Sequence, residues 1–323
     1  MTILEVKDLK KYFPVRGGLF LRRKGWVYAL DGVSFTVNKG ETLGIVGESG
    51  CGKTTLGRCI MGLYTLSDGK VMINGKTVSQ PKLSRKKERS LNLQMIFQDP
   101  FESLDPRQTI RQILEEKYII HGKKKNLLDS EINALIETVG LLPEALSKFP
   151  HEFSGGQRQR IGVARAISLN PDIIICDEPV SALDVSVQSK ILNLLLDLQK
   201  TMGLTYIFIS HDLSVVKHVS DRIAVMYLGK IIEMADAGVI YDNGLHPYTR
   251  ALLSSIPIPD PDSNRVHDRI ILKGEVPSAE NPPFGCRFNT RCAHAQTLCF
   301  KKEPDLYKNE IDSNHLTACH FFF

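Results

Sequence analysis

Hydrophobic residues along this chain follow two patterns that alternate. Short, nearly continuous apolar runs of strand length occur at 42–46, 93–97, 172–176 and 206–210. Such runs are typical of strands buried on both faces of a parallel sheet. Segments with apolar residues at helical spacing lie between these runs and begin near positions 52, 110, 157 and 187. The pattern predicts an α/β core in which strands and helices alternate.

Two regions depart from this alternation. Residues 3–9 and 27–37 predict strands, the second turning at Asp31-Gly32, and 69–76 predicts a hairpin that turns at Asn74-Gly75. The first strand is predicted to end at Tyr12-Phe13, and the basic, glycine-containing stretch 17–25 predicts a surface loop. Helical periodicity from 110 to 146, with turns near Gly122 and Pro143, predicts a mostly helical insertion.

Composition adds limits on size and location. The chain has 323 residues, of which 42% are hydrophobic and 24% charged, and a net charge of +5. These values are typical of a globular protein with one large or two ordinary domains. The basic runs 82–89 and 123–125 favour a solvated surface, with a membrane or nucleic-acid patch as the alternative. Because no apolar run approaches the roughly 20 residues that span a bilayer, and no signal peptide is evident, we expect a cytoplasmic chain with reduced cysteines.

One stretch fills the pattern G-x-x-x-x-G-K-[ST] between a predicted strand and a predicted helix. It consists of Gly47, Glu48, Ser49, Gly50, Cys51, Gly52, Lys53 and Thr54, with Thr55 following. Glycines there let backbone N–H groups turn toward phosphate oxygens at the positive end of the helix dipole. Lys53 would reach the β- and γ-phosphates of a nucleotide, and the Thr54 hydroxyl would bind Mg²⁺. The alternative is a chance glycine-rich turn.

Polar side chains follow three of the predicted strands. Asp177 and Glu178 end the run 172–176, Gln98 follows 93–97, and His211 follows 206–210. An Asp at this position commonly holds Mg²⁺, and a Glu directly after it can polarise an attacking water. The histidine alone stays unassigned, since a lone histidine at a strand end is more often structural.

Two further motifs accompany the phosphate loop and the polar residues at the strand ends. Ser154-Gly155-Gly156-Gln157 lies between the phosphate loop and the paired acids, and Ser181-Ala182-Leu183-Asp184 follows those acids. With these motifs in order, the chain resembles the ATP-binding subunit of an ABC transporter. The resemblance implies an α/β P-loop ATPase core with a mostly parallel sheet, an antiparallel β subdomain, a helical signature-motif subdomain and a small C-terminal extension. The implied domains are an ATPase domain at 1–235, with the helical subdomain at about 99–168, and an extension at 236–323.

The same resemblance implies a head-to-tail pair of ATPase subunits with two ATP molecules between them. In each site, Ser154-Gly155-Gly156-Gln157 of one subunit would face the phosphate loop of the other. The implied roles are phosphate binding for Lys53, Mg²⁺ binding for Thr54, Asp177 and Gln98, general base for Glu178, γ-phosphate contact for His211, subunit contact for Asp184 and adenine stacking for Phe13, with Tyr12 beside it. Simple packing is the alternative for the two aromatic residues.

The residues around these motifs indicate one branch of the ABC transporter family. The segments 94–100, 103–107, 176–188 and 246–253 resemble the oligopeptide and dipeptide permease branch. That resemblance implies a peripheral ATPase at the cytoplasmic face of the cell membrane that powers peptide import. Its partners would be a related but different ATPase chain, two transmembrane permease subunits and, indirectly, an extracellular peptide-binding protein, with no nucleic acid. The alternatives are nickel or another small cargo, and a soluble ABC protein of DNA repair or translation.

Four cysteines fall in the last 38 residues. Cys286, Cys292, Cys299 and Cys319 are separated by five, six and nineteen residues. Zinc ribbons favour pairs two to four residues apart, whereas [4Fe–4S] clusters accept more varied spacing. The pattern also resembles a cluster site found in some members of the branch. We therefore expect a [4Fe–4S] cluster, with zinc or free thiols as alternatives, and His294, His315 or His320 as possible replacement ligands.

Overall fold

The structure is a computed structural model that describes residues 1–17, 22–78, 91–99, 103–124, 128–256, 270–309 and 312–321. Its contacts divide the chain into two units. The helical unit comprises Met1, Asn38–Glu41 and Gln80–Phe208, and the phosphate-loop unit comprises Thr2–Val37, Thr42–Ser79 and Ile209–Phe323. The predicted boundary between 235 and 236 stays a prediction.

The phosphate-loop unit contains a four-stranded antiparallel sheet. Its strands are β1 (Thr2–Gly17), β2 (Arg22–Asn38), β4 (Asp68–Ile73) and β5 (Lys76–Thr77), in the order β2-β1-β4-β5. The register pairs Leu4 with Ile73 and Val6 with Val71. Positive φ angles at Asn74 (49°) and Gly75 (73°) provide the left-handed backbone that a two-residue hairpin needs, which confirms the predicted hairpin.

The first two strands are longer than the sequence predicts. The first continues through Pro14 because its pairing with β4 ends at Lys10, so the proline lies where only one neighbouring strand remains. The predicted turn at Asp31-Gly32 is wrong: β2 runs through it, and Gly32 has a φ of 86° within the strand. The predicted loop at 17–25 is wrong at Gly17, which ends β1, and from residue 22 onward; residues 18–21 lie outside the described part.

A second set of strands in the same unit surrounds the phosphate-loop strand. In the order β11-β12-β10-β9-β3, these are Tyr307–Lys308, Leu316–Thr317, Lys230–Asp236, Arg222–Tyr227 and Thr42–Val46. β3 pairs in parallel with β9, and β10 pairs antiparallel with both β9 and β12. The unit's helices are Lys53–Met61, Leu213–Val219, Ala237–Asn243, Pro247–Ser254 and Thr297–Lys301. Residues from the C-terminal tail therefore extend the sheet that carries the phosphate loop.

The helical unit holds three neighbouring buried strands. They are β8 (Thr205–Ile209), β7 (Ile173–Asp177) and β6 (Leu93–Ile96), in that order, with β6 parallel to β7. Its helices are Ile110–Ile120, Asp129–Thr138, Gly155–Ile167 and Val185–Met202, and 3₁₀ turns lie at Pro143–Ser147 and Pro150–Glu152. The predicted helical insertion and the α/β class are confirmed.

Some predictions fall outside the described residues. These are the basic run 82–89, residue 125 of the run 123–125, and the proline-rich connection after 256. The second predicted connection, 277–283, contains no helix or strand. Within the described ranges, no helix is both long enough and apolar enough to cross a bilayer.

A buried carboxylate joins the C-terminal tail to β10. Glu233 accepts hydrogen bonds from His315 Nε2 at 2.6 Å and from the backbone N–H groups of Leu245 at 2.7 Å and His246 at 3.0 Å. Burial by itself would raise the pKa of Glu233, but these hydrogen bonds hold it below its usual value. Burial also lowers the pKa of His246 to about 4, and its Nδ1 accepts the N–H of Tyr248 at the start of a helix. One side chain therefore fixes a strand, a helix start and the tail.

Removing this carboxylate should loosen the tail. We expect Glu233→Ala to lower the free energy of unfolding by about 3 kcal/mol, because three buried donors lose their acceptor. The matched control is Glu131→Ala, whose carboxylate pairs with Lys123 at 2.8 Å on an exposed surface and should cost less than about 1 kcal/mol. Chemical denaturation of the two variants measures the difference, and equal losses would contradict this account of the anchor.

Candidate functional site: a nucleotide site and a cysteine cavity

Backbone crowding explains two glycines of the phosphate loop. Gly47 has a φ of 152°, and a Cβ there would lie 2.2 Å from the carbonyl oxygen of Met226. Gly52 has a φ of 108°, and a Cβ there would lie 2.4 Å from the carbonyl oxygen of Ala29. Only glycine fits both the dihedral angle and the space. A chance glycine-rich turn would not need both a positive φ angle and a close backbone contact at two glycines immediately before a helix.

Lys53 folds back onto the loop. Its buried Nζ donates to the carbonyl oxygens of Gly47 at 2.7 Å and Glu48 at 3.0 Å. Thr54 and Thr55 follow in the first turn of the helix Lys53–Met61, half-buried, while Ser49 and Gly50 are exposed at the tip of the loop. The loop thus carries a cation and a helix N-terminus on one short stretch of chain, which suits a polyphosphate.

Cysteines outside the tail are packing residues. Cys51, Cys59 and Cys176 are all buried. Burial raises the pKa of the thiols of Cys51 and Cys176, so both are protonated at neutral pH. All three act as small hydrophobic groups; Cys59 and Cys176 lie in apolar segments of the sequence, and Cys51 lies in the phosphate loop.

His211 is exposed at the end of β8. The preceding residue, Ser210, donates its N–H to the carbonyl oxygen of Ile45 in β3 at 3.2 Å. The following residue, Asp212, caps the helix Leu213–Val219 by accepting the N–H of Ser214 at 2.8 Å. The histidine is therefore held between a strand end and a helix start, in the same unit as the phosphate loop.

Gln98 and Glu178 meet in the helical unit. Gln98 Nε2 donates to Glu178 Oε2 at 3.0 Å. Glu178 has a φ of 46°, a left-handed conformation that is costly for a residue with a side chain and is typical of functional sites. Asp177, directly before it, is buried at the end of β7. The structure thus brings together two of the predicted hydrolytic side chains, Gln98 and Glu178. The third, Asp177, directly precedes Glu178 in the sequence.

The Ser154 motif begins a helix. Ser154 Oγ accepts the N–H of Gln157 at 3.4 Å, and Gln157 Oε1 accepts the N–H of Ser154 at 3.0 Å. This capping box starts the helix at Gly155, two residues before the predicted start at 157. A Cβ on Gly156 would lie 2.5 Å from the side chain of Val187, so this glycine allows the helix to approach Val185–Met202 closely. Asp184 occupies the N-cap position of that second helix.

The two predicted adenine-stacking residues differ in their contacts. Tyr12 donates its hydroxyl to Asp31 at 2.6 Å and packs edge-on against Tyr28, so it is committed to the sheet. Phe13 is half-buried, contacts Tyr64 edge-on at 5.4 Å and has Lys11 Nζ 4.7 Å from its ring centre. Adenine stacking by Phe13 stays a prediction.

Residues from the C-terminal extension also bind the phosphate loop. Tyr248 Oη accepts the N–H of Glu48 at 2.8 Å, and Arg291 donates two hydrogen bonds to the carboxylate of Glu48. Sequence reasoning missed both residues, although Tyr248 lies in the segment 246–253 that marks the branch. No local spacing could have revealed them, because 200 and 243 positions separate them from Glu48.

The four tail cysteines line one small cavity. Cys286, Cys292, Cys299 and Cys319 share it with His246, His294 and His320. Burial raises the pKa of Cys286 to about 11 and also raises the pKa of Cys292 and Cys319. His315 lies elsewhere and binds Glu233, so it is not a replacement ligand. Among the described residues no group of three or more His, Cys, Asp or Glu side chains has the geometry to hold a metal ion, so neither zinc nor a cluster has a preformed site.

Sequence comparison assigns the chain to a family. Residues 30–181 match the ABC transporter family and residues 232–299 match the oligopeptide/dipeptide transporter C-terminal region. The oligopeptide transport ATP-binding protein AppF of Bacillus subtilis is 52% identical over 99% of this chain and 98% of its own length. The chain belongs to the oligopeptide transport ATP-binding proteins. OppF of Salmonella typhimurium is 49% identical over 98% of this chain and 96% of its own length.

Solved structures support the same family at the level of fold. A dimeric ATP-binding cassette, MJ0796, bound to ADP and Pi has a TM-score of 0.64 and 26% identity, and it covers 73% of this chain and 99% of its own. CbiO1 of Clostridium perfringens has the same TM-score at 24% identity, covering 75% of this chain and 91% of its own. The fold of this oligopeptide transport ATP-binding protein is thus a P-loop ATPase core followed by a C-terminal extension. The predicted enzyme class, an ATPase, is confirmed.

Proposed function

We propose that this chain hydrolyses ATP to power the uptake of dipeptides and oligopeptides across the cytoplasmic membrane. The observation that carries the proposal is the match along the entire chain to relatives named for oligopeptide transport. The hydrogen-bonded pair of Gln98 and Glu178 supports hydrolysis, because a degenerate ATPase would have no need of a strained, oriented carboxylate. Nickel and other small cargo remain the alternative within the same mechanism.

Each site residue has a role in this proposal. Lys53 binds the β- and γ-phosphates, and the backbone of the loop 47–52 surrounds them. Thr54 and the buried carboxylate of Asp177 offer the oxygen donors that Mg²⁺ prefers, and Mg²⁺ when bound neutralises charge on the phosphate oxygens. Glu178 accepts the proton of the attacking water, and Gln98 orients the carboxylate through their 3.0 Å hydrogen bond. His211 contacts the γ-phosphate from the end of β8.

The pairing of subunits follows from the signature motif. Ser154 and the N-terminus of its helix form an anion site that suits the γ-phosphate of an ATP held by a second subunit. ATP then bridges the two subunits, hydrolysis weakens the bridge, and Asp184 contributes to their contact. A closed pair that binds ATP preferentially can drive a transporter between two states. We propose that the second subunit is a related but different ATPase chain.

Membrane partners would bind the helical unit. Ile120, Leu142 and Phe149 are exposed large hydrophobic residues at the ends of its helices and 3₁₀ turns. Large apolar side chains at a protein surface are one mark of a protein interface. We propose that two transmembrane permease subunits dock there, near 98–107, at the cytoplasmic face, and receive peptide from an extracellular binding protein. No nucleic-acid role is proposed.

Replacing the base should separate ATP binding from hydrolysis. We expect Glu178→Gln to lower kcat by at least about 100-fold while the protein still binds ATP and holds the subunit pair closed, because the amide cannot accept a proton. Glu144→Gln, an exposed glutamate in the same unit, is the matched control and should keep wild-type turnover. Phosphate release and retained nucleotide are measured on both variants, and wild-type turnover by Glu178→Gln would exclude this residue as the base.

We also propose that the cysteine cavity holds a [4Fe–4S] cluster. All four cysteines line the same cavity, and four thiolates are the usual ligands of such a cluster. The separations of five, six and nineteen residues depart from the close cysteine pairs of zinc ribbons, which favours the cluster over zinc.

Metal analysis tests the cluster. After oxygen-free purification we expect about four irons and four acid-labile sulfides per chain, and loss of both in Cys299→Ser. Cys59→Ser is the matched control, because Cys59 is buried outside the cavity. One zinc without sulfide would assign the tail a structural zinc site, and the absence of any metal would leave four free thiols; either result contradicts the cluster.

A further inference from the structure

Glu48 of the phosphate loop is held at each of its polar groups. Its N–H donates to Tyr248 Oη at 2.8 Å, and its carbonyl oxygen accepts from Lys53 Nζ at 3.0 Å. Its carboxylate binds Arg291 through Nη1 to Oε2 at 2.7 Å and Nη2 to Oε1 at 3.1 Å. Two of these three attachments come from the C-terminal extension, which the ABC transporter match at 30–181 does not include.

Arg291 binds Glu48 from a buried position. Only 7% of its side chain is exposed, and its planar guanidinium binds the carboxylate with two parallel hydrogen bonds, a geometry that lysine cannot reproduce. The guanidinium carbon lies 5.9 Å from the ring centre of Tyr227. Tyr227 in turn packs against Tyr248 and Phe288, with ring centres 4.8 Å and 5.3 Å away. The guanidinium is thus buried between the Glu48 carboxylate and Tyr227, and the aromatic cluster supports Tyr227.

The charge of Glu48 makes this pairing necessary. A carboxylate inside a loop that binds a triphosphate repels the ligand unless a cation neutralises it. Lys53 is the cation that the loop itself supplies, and it is needed for the phosphates. A second cation on Glu48 leaves Lys53 available to the ligand and keeps the loop in one conformation before ATP arrives.

We propose that Arg291 is a positioning residue for ATP binding that acts through Glu48, with Tyr248 as its support. It neutralises the carboxylate and fixes the loop, and it takes no part in the chemical step. The proposal rests on the nucleotide site proposed above and adds the C-terminal extension to it. ATP affinity, not kcat, is therefore the property that Arg291 controls.

Binding of MgATP to the full chain tests this assignment. We expect Arg291→Ala to weaken MgATP binding about tenfold, with kcat at saturating ATP unchanged within about twofold, because an unpaired Glu48 repels the phosphates. Glu48→Gln in the Arg291→Ala background should restore most of the affinity, since the repelling charge is then gone. Glu48→Gln alone should stay within about threefold of wild type.

Arg287 provides the matched control. It is a second buried arginine of the same extension, but it binds Asp31 and the carbonyl oxygen of Leu228 and makes no hydrogen bond to Glu48. We expect the MgATP affinity of Arg287→Ala to stay the same when Glu48→Gln is added to it. Reversal there would mean that the rescue is unspecific and would overturn the proposal.

The remaining outcomes are decisive as well. Wild-type affinity in Arg291→Ala, or no rescue by Glu48→Gln, would overturn the role of Arg291 while leaving the nucleotide site intact. If Arg291→Ala does not fold, Arg291→Lys and Arg291→Gln replace it, and the proposal requires tighter MgATP binding by the lysine variant; equal affinities would overturn it. Failure of the wild-type chain itself to bind MgATP would instead contradict the proposed function.

Discussion

A phosphate loop binds ATP more tightly when its backbone is already held in one conformation before any phosphate is present. In this chain the constraint is met from two directions. Crowding by the carbonyl oxygens of Met226 and Ala29 fixes the backbone at Gly47 and Gly52. The hydrogen bond from the N–H of Glu48 to Tyr248 Oη and the bidentate pair with Arg291 fix it at Glu48. The core strands and the C-terminal extension therefore both contribute to one loop of eight residues.

The extension can do this because it is part of the sheet. β12 pairs with β10, which pairs with β9, and β9 lies in parallel beside the phosphate-loop strand β3. Glu233 strengthens the connection by binding His315 and two backbone N–H groups in the protein interior. Arg291 also directly precedes Cys292, so one short segment carries both a contact to the phosphate loop and a wall of the cysteine cavity.

The residues proposed for nucleotide binding and hydrolysis are divided between the two units of the chain. Lys53, Thr54 and His211 belong to the phosphate-loop unit, whereas Gln98, Asp177, Glu178 and the Ser154 motif belong to the helical unit. Variants of the first group should therefore act mainly on nucleotide affinity, and variants of Glu178 mainly on turnover.

Local sequence patterns predicted the longer helices, four buried strands and the hairpin at Asn74-Gly75, because periodicity and turn chemistry are local properties. They did not predict the buried strands Arg222–Tyr227 and Lys230–Asp236 or the short helices that follow residue 212. The long first strands were not predicted, since a proline at a strand position with one neighbour is decided by pairing and not by propensity. Contacts of the tail were missed for a related reason. Arg291 and His315 find partners at Glu48 and Glu233, 243 and 82 positions away, and only the folded sheet brings them together.

Uptake into membrane vesicles would test the central claim most directly. Vesicles would contain this chain together with its second ATPase subunit, two permease subunits and the peptide-binding protein. The account predicts that labelled oligopeptide accumulates only with MgATP, that peptide stimulates ATP hydrolysis, and that nickel does neither. ATP hydrolysis that is indifferent to peptide and stimulated by nickel or nucleic acid would contradict it.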